Sequence, residues 1–408
     1  FRMYISLSVW LSLCIFICTY KYVVSDDECL PDICKRRITP NTVNPVLGMI
    51  GKSIVKSFRN ETGFVFSGLK VTHKILQLFH LGSPSVKKEI RKLMELPDDE
   101  DCDNLFCLAF HLYLDTWEFD KPVVNYQSNL YFAPGNTLKV GSFPNCFTDA
   151  VPTEFSNVEA TRKQLNEVHS KFNNESNFSH FDMHLNKKTD FYLLSALNVN
   201  RDVFDEYQEA IGFNEFTDIK GKKKVVRWLK FQGQAHLTII KEKKTESKRE
   251  LRLIRNQIKS VNFKLSMYYL KPVFKGTDTI QEKLNIMEIL FGEFLNHVRD
   301  TSHPSLGTTK LSSTAVPLFE METNTDLKVI LEKQLEALFR PGNIENLYGK
   351  QDTLYDLKTS DYFSNDPRRP VRHECLDIRA NETMGSPFLF LLIETYTWMP
   401  LKIGVYFG

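Results

Sequence analysis

The sequence predicts an α+β fold, on two observations about its segments and composition. Patterns typical of helices come first along the chain, and patterns typical of strands dominate later. This order differs from the regular alternation of strands and helices that marks a parallel α/β sheet. The 31 phenylalanines among 408 residues favour a large core that is rich in strands.

Amphipathic segments predict the helices. Leu47, Ile50, Ile54 and Phe58 fall on one face of a first helix. Two further helices are predicted over 69–81 and 86–96, because Gly82-Ser83-Pro84 interrupts the pattern between them. The remaining predicted helices cover 103–114, a segment that begins at Ala160, 281–298 and 325–339.

Short apolar or alternating runs bounded by turn residues predict the strands. They cover 63–66, 123–132, 191–199, most of 213–273, 315–322, 387–393 and 401–407.

The first 25 residues have the pattern of a secretory signal peptide. An apolar run from Ile5 to Tyr20 is broken only by serines and Thr19, and Ser25 offers a cleavage site before Asp26. The alternative is a membrane anchor, but the run is short for a bilayer span. We therefore expect a secreted, extracellular protein with no membrane span, in which a cysteine-bearing tail (26–41) precedes a single domain (42–408).

Cysteines and glycosylation motifs agree with export. Eight cysteines less Cys14 and Cys18 of the signal segment leave six disulfide candidates, namely Cys29, Cys34, Cys102, Cys107, Cys146 and Cys375. Two cysteines five residues apart in one helix are too distant to bond, so we expect the tail pair to bond Cys102 and Cys107. Glycosylation motifs occur at Asn60, Asn174, Asn177 and Asn381.

Motif searches predict no enzyme. Gly51-Lys52-Ser53 is similar to a phosphate-binding loop, but Val46 stands where that motif needs glycine. His180 and His184 lack a third ligand for a metal. We therefore predict no catalytic residue, no cofactor and no metal. The net charge of +2 gives the whole chain no strong attraction to nucleic acid.

A cluster of basic residues leaves two interpretations open. Such runs are typical of solvated hairpin edges, which also resist aggregation. They are also typical of patches that bind a sulfated polysaccharide or another polyanion. Glu242, Glu246 and Glu250 interrupt the run and weaken the second interpretation. The residues concerned are Lys222, Lys223, Lys224, Lys243, Lys244, Lys248 and Arg249.

Six short segments, taken in order, resemble motifs of the serpin family of serine protease inhibitors. They are 63–69 (GFVFSGL), 160–166 (ATRKQLN), 191–197 (FYLLSAL), 316–328, 371–373 (VRH) and 386–393 (SPFLFLLI). The resemblance extends over nearly the whole chain from about residue 42. It implies a serpin-like fold, with helices packed around a large, mostly antiparallel central sheet and smaller accessory sheets.

The departures from the family pattern bear on function. In serpins a V-x-H strand leads to a hinge of small residues and an exposed reactive loop, which slides into the main sheet once a protease cuts it. If Val371–His373 is that strand, only Met384, Gly385 and Ser386 lie between the hinge-like Thr383 and the next strand. Three extended residues cannot reach a protease cleft and return. We therefore expect the reactive loop to be absent, with 383–386 as its remnant.

The family's mobile polar cluster also looks altered. Ser67 matches one member of the cluster beneath the central strands, whereas Lys70 stands in place of a serine and Ser195 in place of an asparagine. We therefore expect a non-inhibitory monomer that binds or carries an unknown extracellular protein or small ligand. The alternative is a working protease inhibitor whose loop lies elsewhere, for example around Thr353 to Arg369, where Arg368-Arg369 would suit a trypsin-like enzyme.

Overall fold

The structure is a computed structural model, and it describes part of the chain. The described residues are 40–57, 62–96, 124–138, 147, 149–173, 185–187, 189–199, 208–241, 250–259, 264–301, 309–340, 344, 347–348, 357–365, 382–395 and 398–408. Outside them lie the signal segment, the six cysteines, the asparagines of the four glycosylation motifs, the predicted helix 103–114, His180, His184, Val371–His373 and the basic residues from Lys243 to Arg249.

Six helices occur within the described residues, and most match the predicted ones. Ser67 caps the second helix by accepting from the backbone N–H of Lys70, and Ser83 caps the third in the same way. The helices are α1 (Pro40–Ser57), α2 (Gly68–Leu81), α3 (Pro84–Met94), α4 (Val158–Asn173), α5 (Ile280–Thr301) and α6 (Leu327–Leu331).

Strands form most of the second half of the described chain. They are β1 (Gly63–Phe66), β2 (Val124–Phe132), β3 (Thr137–Leu138), β4 (Asp149–Pro152), β5 (Phe191–Val199), β6 (Gln208–Thr217), β7 (Lys223–Lys241), β8 (Glu250–Lys259), β9 (Lys264–Pro272), β10 (Thr309–Pro317), β11 (Glu320–Asp326), β12 (Leu347–Tyr348), β13 (Lys358–Ser364), β14 (Glu382–Thr383), β15 (Phe388–Glu394) and β16 (Met399–Tyr406).

The largest sheet has nine strands, in the order β1-β16-β15-β9-β8-β7-β10-β14, with β6 also paired to β7. Every pair is antiparallel except β10 with β14. Its apolar strands explain the abundant phenylalanine, because buried rings such as Phe319 and Phe390 contact each other in its core, with centroids 5.2 Å apart and planes tilted by 52°. A Cβ on Gly404 would lie 2.3 Å from the Phe64 carbonyl oxygen, so only glycine lets β1 and that core pack so closely.

Three smaller sheets complete the fold and confirm the predicted α+β class. They are the three-stranded sheet β4-β2-β5 and the pairs β11-β13 and β3-β12. Within the described ranges, no helix has the length and apolar character that a membrane span needs.

Two predicted elements are wrong in their bounds. The predicted strand 315–322 is two strands, because β10 ends at Pro317 and the chain then turns into β11 in another sheet. The predicted helix 325–339 continues only to Leu331. Beyond it, the backbone N–H of Ala337 donates to the Glu89 carboxylate on α3 (2.9 Å) instead of a helical carbonyl. Leu335 and Leu338 are nevertheless buried as predicted.

Candidate functional site

Helix α2 lies in the interior of the molecule, between strands of different sheets. All of its residues are buried. Lys70, His73 and Gln77 are spaced so that they share one face of the helix. These polar side chains contact strands of two different sheets, and they form two clusters.

The first cluster is a buried group of charges. Lys70 of α2 lies 3.3 Å, and Lys402 of β16 lies 2.9 Å, from the same carboxylate oxygen of Asp361 on β13. The three side chains are at most 4% exposed. Two lysines therefore share one carboxylate oxygen in the core.

The pKa values follow from this arrangement. Burial lowers the pKa of Lys70 to about 8, and the attraction of Asp361 only partly opposes it. Burial alone would raise the pKa of Asp361, but Lys402 and Lys70 outweigh it and hold that pKa below its usual value. The cluster ties the outer strand β13 to α2 and β16.

The second cluster connects α2 to the three-stranded sheet β4-β2-β5. Gln77 donates to the Ser128 hydroxyl (2.9 Å), which lies 2.7 Å from the Ser195 hydroxyl. His73 Nδ1 lies 2.6 Å from the hydroxyl of Tyr126, whose pKa is raised by burial. Strands β2 and β5 are thereby fastened to the same helix that holds β13.

The end of β13 is fixed separately. Asn365 is 1% exposed, and its side-chain oxygen accepts from the backbone N–H of Phe319 (2.8 Å). Its side-chain nitrogen donates to the carbonyl of Pro317 (2.9 Å). Since these groups belong to the turn between β10 and β11, Asn365 pins the point at which the chain leaves β13.

Strand β14 marks where the chain returns to the large sheet. Glu382 pairs with Arg252 (3.0 Å) and Lys271 (3.2 Å), and Lys271 also donates to the carbonyl of Thr383 (2.6 Å). Met384 is fully buried, and its backbone N–H donates to Ala315. Thr383 therefore ends β14, and Met384 to Ser386 join it to β15. The assignment of 383–386 as a loop remnant stays a prediction.

No protein-family model and no curated protein matches the chain, but solved structures do. Serpin-12 of Manduca sexta is 14% identical with a TM-score of 0.66, over 91% of this chain and 98% of that one. Thyroxine-binding globulin in complex with thyroxine is 13% identical with a TM-score of 0.66, over 90% and 98%. Native protease nexin-1 with heparin is 14% identical with a TM-score of 0.66, over 91% and 100%. This chain has the serpin fold.

The connection between β13 and β14 is longer than the segment considered in the sequence analysis. The strand that pairs with β11 is Lys358–Ser364, not Val371–His373. Between Ser364 and Glu382 the chain has 17 residues, from Asn365 to Asn381. The count of three residues took Val371–His373 as the preceding strand, and the absence of a reactive loop stays a prediction.

The predicted basic patch is largely neutralised where the structure describes it. Lys223 pairs with Glu215 (2.8 Å), and Lys224 pairs with Asp218 (3.3 Å). Lys222 is exposed. This part of the patch agrees better with a solvated hairpin edge than with a polyanion site.

A groove of about 580 Å³ is lined by residues of α1 and α5, which pack against each other. Lys52, Lys56 and Glu288 are among its lining residues. The Gly51-Lys52-Ser53 segment is helical, as predicted, so its amides cannot cradle a phosphate.

Proposed function

We propose that this chain is a secreted serpin-fold protein that acts by binding and does not trap proteases by loop insertion. The observation that carries this proposal is the anchoring of Asn365, the residue at which the connection leaves β13. Insertion as a new strand would require the chain to reverse at this point. Reversal would break its two buried side-chain hydrogen bonds, each of which contributes about 0.5–1.5 kcal/mol net.

The sequence of the connection supports the same proposal. A strand inserted beside β13 would turn alternate residues toward the buried side of the sheet. One register turns Arg372 and Glu374 inward, and the other turns Arg369 and His373 inward. Pro370 also lacks the N–H that a central strand donates. Either register buries ionisable groups, which is costly unless each finds a partner.

The buried charge cluster adds a third line of support. In serpins, as described above, the central strands move over a polar cluster. Here that cluster contains the Lys70–Asp361–Lys402 group, whose partial separation would leave a charge buried without its partner. Breaking such a group costs about 3–5 kcal/mol. A sheet held in this way favours a fixed binding surface over a mechanism that depends on sheet opening.

For the bound partner we propose an extracellular protein or a charged ligand. A similar structure holds thyroxine, so the fold is compatible with carrying a small molecule. The groove between α1 and α5 is lined in part by lysines and a glutamate. That lining suits a charged ligand better than a lipophilic one.

A second candidate function is reversible inhibition of a trypsin-like protease. Arg368 and Arg369 come four and five residues after the end of β13, in the connection that would correspond to the protease bait of serpins. Seventeen extended residues reach roughly 25 Å outward and back, at about 3.3 Å per residue. A protease could therefore bind this connection without any insertion.

One experiment separates these candidates. The purified protein is incubated with trypsin-, chymotrypsin- and elastase-like enzymes and then analysed by denaturing gel and by melting temperature. We expect no detergent-resistant complex, and a nicked form that melts at or below the temperature of the intact protein. Steady-state inhibition that disappears in the R368A/R369A variant would support the second candidate.

A covalent complex would overturn the proposal. So would a nicked form that melts much higher than the intact one, because only an inserted strand adds a new ladder of backbone hydrogen bonds. The R368A/R369A variant is the matched control, since trypsin can no longer cut it at that position. A change in melting temperature that persists in this variant cannot come from cleavage there.

A further inference from the structure

A row of basic side chains crosses the large sheet away from the region described above. Lys310 of β10 is opposite His236 of β7, which is opposite Arg255 of β8. Arg255 is in turn opposite Tyr268 of β9. Side chains directly opposite each other point to the same face, with Cβ atoms about 4.5–5.5 Å apart. The three basic groups therefore stand side by side on one surface.

This row is accessible and has no acidic partner among the described residues. Lys310 is exposed, and His236 and Arg255 are half-buried. The ion pairs of the described chain include none made by these three side chains, whereas nearby Arg252 pairs with both Glu250 and Glu382. Like charges placed directly opposite each other destabilise a sheet. A bound anion would offset that cost.

The guanidinium of Arg255 is held in place. Its central carbon lies 5.7 Å from the centre of the Tyr268 ring, and its Nε donates to the Ser266 hydroxyl (3.4 Å). No described residue accepts from its two terminal nitrogens. Arginine presents these nitrogens as a planar fork that matches the oxygens of sulfate, phosphate or carboxylate.

His236 makes the charge of the row depend on pH. Burial lowers the pKa of His236, and the nearby charges of Arg255 and Lys310 lower it further. Besides these two groups, Tyr268 is the titratable side chain in the same row, and its pKa is raised by burial to about 12. At neutral pH His236 is therefore uncharged, and an anion beside it would favour its protonation.

We propose that Lys310, His236 and Arg255 form a binding site for a tetrahedral oxyanion, either free or as the ester group of a larger molecule. The site is distinct from the basic hairpin at Lys222 to Lys224, because His236 lies twelve or more residues further along β7, and the cations of the site are unpaired within the described chain. It does not depend on the proposed function. The protein can bind an anion at this site whether or not it inhibits a protease.

The test is isothermal titration of the whole protein with sodium sulfate, against sodium chloride at matched ionic strength. We expect sulfate to bind with one site per chain. Arg255→Gln should weaken binding tenfold or more, because charge-assisted hydrogen bonds are lost. Lys310→Gln is an exposed change that tests the same row if Arg255→Gln fails to fold. Lys92→Gln, an exposed lysine on α3, is the matched control and should leave binding unchanged.

The pH dependence provides an independent readout. Sulfate should bind more tightly at pH 5.5 than at pH 7.5, and His236→Gln should remove that difference while leaving folding intact. A sulfated monosaccharide, titrated in parallel, distinguishes an ester ligand from a free ion, and either result supports the site. The proposal is overturned if sulfate behaves like chloride, or if Lys92→Gln weakens binding as much as Lys310→Gln.

Discussion

Single buried residues make the stability of this fold depend on pH, and Lys70 is the clearest case. It stands where the resembling family has a serine, and it is 2% exposed with Asp361 as its partner. Lys402 binds the same oxygen of that carboxylate at a shorter distance. Lys70 is thus the second cation on one acceptor, and its burial is only partly compensated.

This predicts an unusual pH dependence of stability. The pKa of Lys70 is about 8 in the folded protein against 10.5 for an ordinary lysine. Between these values the unfolded chain holds a proton that the folded chain has released, so stability rises with pH. From pH 8 to 9.5 this contribution is about 2 kcal/mol, at about 1.4 kcal/mol per pH unit. Lys70→Met should abolish the rise in urea unfolding.

The control is Lys56→Met, because Lys56 is exposed on α1. It should keep the rise seen in the wild type. The comparison stays below pH 10, because buried tyrosines such as Tyr126 have raised pKa values and lower the stability above it. Equal pH profiles for Lys70→Met and the wild type would contradict the assignment.

At the scale of elements, strand β14 shows how tertiary contacts can hold a strand that is too short to persist alone. It has two residues, and its parallel pairing with β10 involves Thr314 and Ala315. Two cations from β8 and β9 hold Glu382, which is 8% exposed. The far end of the connection is therefore fixed by side chains as much as by the backbone ladder.

Glu382→Gln should loosen this anchor. The change removes a carboxylate that two partly buried cations share, and hydrogen bonds to charged groups contribute about 1.5–3 kcal/mol each. We expect a loss of about 1–3 kcal/mol in the free energy of unfolding, together with faster amide exchange at Met384. Glu215→Gln removes the exposed pair with Lys223 and should cost less than about 1 kcal/mol. Equal losses of unfolding free energy in the two variants would contradict the conclusion that Glu382 anchors β14.

The sequence predicted elements well where a local apolar pattern determines them. The bounds of β1 and β5 agree with the predicted strands to the residue, because continuous apolar runs lie between polar residues. Strand β13 was missed because one of the residues on its buried face is Asp361. Its burial depends on Lys70, 291 positions away in the sequence, and on Lys402. A carboxylate in a buried strand gives no apolar signal.

The candidate site could be predicted only in part for the same reason. The resemblance singled out Ser67, Lys70 and Ser195, and the structure brings Ser195 and Lys70 onto one buried side of the central strands. It gave no partner for Lys70, and it placed the strand before the loop too late in the chain. The Ser-Asp pair at 360–361 within an alternating segment was the available signal. It becomes informative once a buried lysine is known to need a carboxylate.

At the scale of the whole molecule, the buried apolar residues form two cores of unequal size. One hydrophobic core runs from Leu47 on α1 to Phe407 at the end of the chain and includes the buried side of α5. A second, smaller core lies between β2, β5 and α4, and Leu165 is the α4 residue fully buried in it. Helix α4 is therefore attached by far less apolar surface than α5. We expect its amides to open locally before the molecule unfolds.

Hydrogen exchange followed by mass spectrometry measures the difference in amide protection between α4 and α5. Peptides from α4 should exchange much faster than peptides from α5 under native conditions. Leu165→Ala should raise the exchange of α4 further and leave α5 unchanged, because it deepens a local opening. Leu290→Ala, at a buried position of α5, should instead lower the stability of the whole molecule by about 2–5 kcal/mol. If α4 were as protected as α5, or if Leu165→Ala destabilised both helices equally, the two cores would unfold as one unit.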